Sequence, residues 1–211
     1  MTTSKPSTTE LATEDQLFVD LLAAEDDAVD ARVLDAAAEL IGEHGEHVVT
    51  MTDIGERSGV GRATIFRRFG SKQTVIDRML QRELRKFVVD LINASAECET
   101  RADVLTELLV QAVSFARTNP VVRRLVAGEP ERLVQFARSE ESASMPIARA
   151  LILGLVKRFE ATSAGPHDME QVADVVAHLA IGYALVPNSS IDLADEDHLR
   201  RTVGAVLSGL R

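Results

Sequence analysis

Apolar residues recur at intervals of three and four along most of the chain, and no segment shows the two-residue alternation of a half-buried strand. Between residues 28 and 44, Val33, Leu34, Ala37, Leu40 and Ile41 share one side of a helix that Gly45 stops. After Ser71, a natural N-cap, Ile76, Met79, Leu80, Leu84, Phe87, Val88, Leu91 and Ile92 form the inward stripe of a long helix reaching about residue 97. Beyond it, punctuation sets the elements. Thr100 and Asp103 form a capping box for a helix ending at Asn119 and Pro120, and Pro120 opens the next, which stops at Gly128. Residues 130–139 give a short helix and residues 144–163 a longer one, broken at Gly165 and Pro166. Asp168 and Gln171 cap a helix reaching residue 186 and ended by Pro187, and the last helix runs over about residues 195–209. Ahead of all these, residues 1–10 are rich in Ser, Thr and Pro and are expected to be disordered. Thr13 and Gln16 then open a short helix with Leu17, Phe18, Leu21 and Leu22 on its apolar face.

Composition supports helix on helix. Of 211 residues 45% are hydrophobic, ample for a core, yet aromatics are only 4% and Trp is absent. The single cysteine, Cys98, excludes an internal disulfide and fits a reducing compartment. No apolar run approaches a membrane span, and the first residues lack a secretory core, so a cytoplasmic location is expected.

Charge changes the picture more. The chain carries a formal −10, but from Arg57 to Lys72 there are five bases (Arg57, Arg62, Arg67, Arg68, Lys72) and no acid. Such a local reversal of sign fits a polyanionic partner. The same stretch has the layout of two short helices around a tight turn. Thr50 caps the first, with Asp53 returning the bond and Ile54 and Ser58 on the inner face, and Gly59 ends it in the left-handed region. The second opens near Gly61 and runs to Phe69, with Ile65 and Phe69 inward and Arg62, Ala63, Thr64, Phe66, Arg67 and Arg68 nearer the outside. This is a helix-turn-helix, whose second helix reads the major groove of DNA.

The run RVLDAAAELIGEHG followed by VTMTDIGERSGVGRATIFRRFGSK resembles the DNA-binding domain of the TetR family of transcriptional regulators, over roughly residues 32–80. The resemblance implies a homodimer on palindromic double-stranded DNA, usually a repressor, released when a small molecule fills a pocket among the C-terminal helices. Carried over residue by residue, it places Thr50, Thr52, Arg62, Ala63, Thr64, Phe66, Arg67 and Arg68 at the DNA, and Lys72 on a phosphate. Four positions depart from the family pattern. Phe66 stands where tyrosine is usual and lacks its hydroxyl, Gly61 replaces a capping Ser or Thr, Gly55 an alanine and Glu46 an aromatic.

Other constellations carry less. His44 and His47 straddle a helix end with no zinc pattern around them, and Asp195 with His198 is half of a di-iron motif with no second half. No P-loop, GxSxG, HExxH or GxGxxG occurs, so neither a cofactor nor an enzymatic activity is expected. Arg57 suits a pair with Asp53 or Glu56 on its own helix. Residues 172–186 are apolar on nearly every side, and Leu199, Val203, Val206, Leu207 and Leu210 form a stripe on the last helix. In the resembling family these two helices pair with their copies, which assigns Val172, Val176, Ala180 and Ala184 with that stripe to a dimer interface. Phe87, Leu91, Leu105, Leu109, Phe115, Phe136, Leu151, Leu155 and Phe159 are candidates for lining the pocket, whose few interior charges point to an apolar or weakly polar effector.

The expectation is an all-α protein in which a three-helix helix-turn-helix domain is joined by a long helix to a helical ligand-binding and dimerisation domain. Residues 1–27 form an acidic, partly disordered extension, 28–88 the DNA-binding domain with its motif at about 50–70, and 89–211 the effector and dimer domain. The alternative from another class is a helical adaptor of the same fold that does not act through DNA.

Overall fold

The computed structural model describes residues 8–159, 166–186 and 189–208, and among these every regular element is helical. α1 spans Thr8–Ala23, α2 Ala28–His44, α3 Met51–Ser58, α4 Arg62–Phe69 and α5 Lys72–Ala94. Then follow α6 at Arg101–Thr118, α7 at Pro120–Gly128, α8 at Pro130–Arg138, α9 at Ser144–Val156, α10 at Pro166–Leu185 and α11 at Glu196–Ser208. α1 begins at Thr8, five residues before the expected cap, so residues 8–10 are helical rather than disordered. The expected stops at residues 163, 165 and 187, the interface residue Leu210 and the caps expected from the side chains of Thr13 and Asp168 lie outside the described residues.

Local chemistry fixes most boundaries. Both halves of the capping box are made at Thr50 with Asp53 and again at Thr100 with Asp103. Asp27 caps α2 through Val29 and Asp30, and Ser71 caps α5 through the Thr74 N–H. Asn119 ends α6 while its Oδ1 accepts from the Val121 and Val122 N–H groups of α7, each at 3.0 Å, with Pro120 at the position where a missing N–H costs nothing.

The apolar faces assemble into two cores joined by α5. The first gathers α2, α3, α4 and the start of α5 around Ile41, Ile54, Ile65 and Ile76, and takes in Val121 and Leu125 of α7 and Phe136 of α8. The second joins the end of α5 to α6, α9, α10 and α11 around Leu91, Val110, Ile152 and Leu199. Leu17, Phe18 and Leu21 of α1 pack on this second core, mainly against α9, so the N-terminal extension belongs physically with the C-terminal helices.

Between α1 and α2 the acidic stretch meets a row of arginines. Asp26 pairs with Arg78 at 3.2 Å and Arg85 at 3.3 Å, Asp30 with Arg78 at 2.9 Å, and Asp35 with Arg82 at 2.9 Å. The basic flank of α5 thereby neutralises Asp26 ahead of α2 and Asp30 and Asp35 within it.

Candidate nucleic-acid interface and internal cavity

α4 is held by its buried side. Ile65 is fully buried and Phe69 nearly so, against Ile54 and Val60. Gly59 takes φ 67 and ψ 20 at the turn, the left-handed geometry that other residues adopt only at a cost. The Ser58 hydroxyl donates to the Gly55 carbonyl and accepts from the Val60 N–H, which ties the turn to α3. Gly55 itself sits where a Cβ would stand 3.2 Å from the Val60 carbonyl oxygen, so its lack of a side chain lets the turn close rather than loosening the packing.

On the other side of α4, Arg62, Ala63, Phe66 and Arg67 are exposed and Thr64 is half-buried. The Arg62 guanidinium lies 5.3 Å from the centroid of the Phe66 ring, which props it outward. Thr52 is exposed at the start of α3, and Thr50 is occupied by its cap. Asp53 receives both the Thr50 hydroxyl and the Thr50 N–H at 2.8 Å, and these bonds hold its carboxyl below the usual range.

Three of the five bases have other work. Arg68 pairs with Asp27 and Asp30, so its guanidinium is drawn toward the start of α2 and off the reading face. Lys72 donates to the Glu46 carbonyl at 2.7 Å and the Val49 carbonyl at 2.9 Å. Its ammonium therefore anchors the α2–α3 loop with two of its three protons, and those carbonyls offset the unfavourable positive charge at a helix N-terminus. Arg57 pairs with Glu39 at 3.0 Å and Glu43 at 3.5 Å on α2, and not with Asp53 or Glu56. Arg62 and Arg67 make no ion pair among the described residues.

The loop that Lys72 grips is also held from α7 and α8. Glu129, between them, accepts from the Glu46 N–H at 2.8 Å, the His47 N–H at 3.2 Å and the His47 ring at 2.9 Å. Gly45, at φ 90, makes room, since a Cβ there would meet the Glu129 carboxylate at 2.6 Å. Arg124 donates to the His44 carbonyl at 2.9 Å. Arg132 of α8, almost fully buried, lies 2.9 Å from Glu46 and bonds Asp77 of α5. Burial pushes the Glu46 carboxyl above its usual range despite the arginine. Glu129 and Arg132 escaped the sequence reading because their partners lie far along the chain. The signal was Glu46, an acid where an aromatic is usual.

A partly open cavity of about 200 Å³ lies where the two cores meet, lined from α5 to α10. Of the expected lining, Phe87, Leu91, Phe115, Phe136 and Leu151 face it. Leu105 and Leu109 are buried in the helix packing instead, and Leu155 and Phe159 pack on the second core away from the cavity. Most of the wall lay outside the expected set, and one of those further residues is charged. Glu83 is 6% exposed and sits on the cavity wall, three residues after Leu80 and four before Phe87, hence on the same stripe.

Five of the expected interface residues face the chain's own core. Val176, Ala180, Leu199, Val203 and Leu207 are buried inside the chain, because both terminal helices turn these residues onto the second core around α6. Val172 and Ala184 are half-buried, and Val206 is 65% exposed. The uncovered stripe is instead Val175, Leu179, Gly182 and Val186 of α10 with Val206 of α11. Asp195 accepts from the His198 N–H at 2.9 Å, so that pair is a helix cap, and no group of three potential metal ligands forms among the described residues. No described helix is long and apolar enough to cross a membrane.

Residues 33–79 match the family model of bacterial regulatory proteins of the tetR family. The transcriptional regulator BetI of Agrobacterium fabrum is 32% identical over 156 residues, covering 71% of this chain and 72% of the relative. Among solved structures, the TetR family repressor AlkX of Dietzia superposes with a TM-score of 0.62 at 18% identity, over 88% of this chain and 98% of that one. The regulator FadR of Bacillus subtilis in complex with stearoyl-CoA gives 0.59 at 16%, over 84% and 96%. A two-helix reading head on a helical body, the family-model match across that head and the similarity to BetI along most of both chains make this protein a member of the TetR family of DNA-binding transcriptional regulators.

Proposed function

We propose that the protein is a repressor that binds a palindromic operator as a homodimer and is released when a small molecule enters the cavity between α5, α6, α8 and α10. The observation that carries the reading is the exposed, unpaired Arg62 and Arg67 on a helix whose opposite side is locked by Ile65 and Phe69. Arg62 and Arg67 suit guanine edges, Thr64 and Thr52 suit the flanking backbone, and Phe66 offers ring contact in place of a phosphate bond. Arg68 and Lys72 act behind the face, by orienting α4 and the α2–α3 loop. The dimer is formed by the exposed apolar stripe on α10 and Val206 of α11, which sets the two reading heads roughly 34–36 Å apart for half-sites one turn apart.

Release runs through α8. Phe136 lines the cavity, and Arg132, one turn earlier on the same helix, binds Glu46 before α3 and Asp77 on α5. A ligand that pushes Phe136 moves Arg132 and with it the loop that Lys72 and Glu129 hold. The effector and operator must then weaken each other by the same factor, a coupling of about 1–3 kcal/mol. FadR, which shares this fold, is solved in complex with stearoyl-CoA, so the fold is compatible with binding a small molecule.

The test is a fluorescence anisotropy titration on DNA selected from a random pool. The wild type should bind duplex with an affinity that falls steeply with salt, and Arg67→Ala should relax base preference by about 1–3 kcal/mol per half-site. Partner capture without duplex affinity would favour the adaptor reading.

A further inference from the structure

The cavity is apolar except for Glu83 and Ser144, and Glu83 is the only charged residue among those lining it. A carboxylate so placed is costly unless its charge is answered, and packing alone would be met by Leu or Gln. Its two oxygens have one neighbour each. Lys86 donates to Oε1 at 2.7 Å, and the Asn119 side chain donates to Oε2 at 2.5 Å. The Asn119 partner is fixed, because its own carbonyl oxygen is engaged in capping α7, which turns the amide nitrogen toward Glu83. The Lys86 partner is not. Its side chain is 53% exposed while that of Glu83 is 8% exposed, so the ammonium comes from solvent and returns there at small cost. One turn along, the rings of Phe87 and Phe115 lie with centroids 4.9 Å apart, on α5, which carries Glu83, and α6, which ends at Asn119.

From this we infer that the effector is an organic cation, an amine with an apolar body, whose ammonium takes the place of Lys86 on Glu83. The apolar body fills the space beside Phe87, Phe115 and Phe136, and the ring faces add to the attraction for the charge. The proposal rests on the effector-cavity reading above but narrows it from an apolar or weakly polar ligand to a cationic one. A single compact acid among phenylalanines selects against carboxylates by repulsion and favours an ammonium over a neutral alcohol through the charge-assisted bond that only the ammonium can donate to Glu83.

The test uses calorimetric titration of the whole protein near neutral pH with three probes of equal chain length, hexylamine, 1-hexanol and hexanoate. Hexylamine should bind about tenfold or more tightly than 1-hexanol, the scale of a charge-assisted bond, and hexanoate should bind more weakly than either. Glu83→Gln keeps the shape and should erase the preference, leaving 1-hexanol within about twofold of the wild type. Lys86→Ala removes the competing cation from an exposed position and should tighten hexylamine several-fold without affecting 1-hexanol. Equal affinities for hexylamine and 1-hexanol in the wild type would overturn the cationic class while leaving the cavity as a ligand site. Absence of binding by all three would overturn both.

Discussion

Arg62 and Arg67 are the two bases of the positive stretch whose charges no described acid answers, and side-chain substitution separates them from their paired neighbours. Arg67→Ala should weaken binding, most on the selected sequence, and flatten the dependence of log affinity on log salt by about one unit. Arg57→Ala should leave that slope within error, because Arg57 is spent on Glu39 and Glu43. Anisotropy at several salt concentrations distinguishes the two outcomes. At the cap of α3, Thr50→Ala should cost about 1 kcal/mol in urea denaturation. Asp53 gives that cap a pH signature. Its carboxyl is depressed by the Thr50 bonds, so its contribution is fully present above the ordinary carboxylate range and is lost as pH falls through the depressed value. The stability gap between wild type and Asp53→Asn should thus be constant from neutrality to about pH 5 and shrink only below about pH 4. A gap that closed at higher pH would contradict the assignment.

The helices themselves were legible because their ends are written in side chains that act within four residues. Thr50 with Asp53, Thr100 with Asp103, Ser71 and Pro120 each solve a local problem of unpaired backbone groups, and each stands at its expected position. What spacing could not give is the partner of a long side chain. Lys72, Arg68 and Arg57 occupy expected helix positions, yet their charges go to the α2–α3 loop, to Asp27 and Asp30, and to α2, choices set by tertiary contacts 14 to 41 residues away. The same applies to α8. Arg132 reads as a surface residue on a short amphipathic helix but is buried between Glu46 and Asp77. Arg132→Met should therefore destabilise by about 3 kcal/mol, since it leaves the Glu46 carboxylate buried without its cation. The double variant Arg132→Met with Glu46→Met should recover most of that loss in denaturant titration, as replacing a whole buried pair is near neutral.

At the scale of the molecule, two cores meet along α5, and α7 and α8, which follow α6 in the chain, join the first core through Val121, Leu125 and Phe136. The grouping of helices into cores follows packing rather than chain order. α1 likewise lies first in sequence but against the second core. The candidate dimer helices were legible as elements, while the side they leave open was not. A helix apolar on nearly every face gives no periodicity from which to choose, and the single chain takes Val176 and Ala180 for itself. Leu179→Asp should consequently convert dimer to monomer in sedimentation equilibrium and lower operator affinity, whereas an unchanged mass would reject the α10 interface. The charge balance adds selectivity. On the proposed function, a chain of net −10 turns to DNA the face from which Arg62 and Arg67 project.

The most direct measurement is hydroxyl-radical footprinting of the wild type and the Arg62→Ala, Arg67→Ala double variant on duplex selected by the wild type. The expected result is two protected patches about one helical turn apart for the wild type, and no footprint for the variant at the same concentration and salt. Protection of a single patch, or an unchanged footprint in the variant, would contradict a paired reading head built on α4.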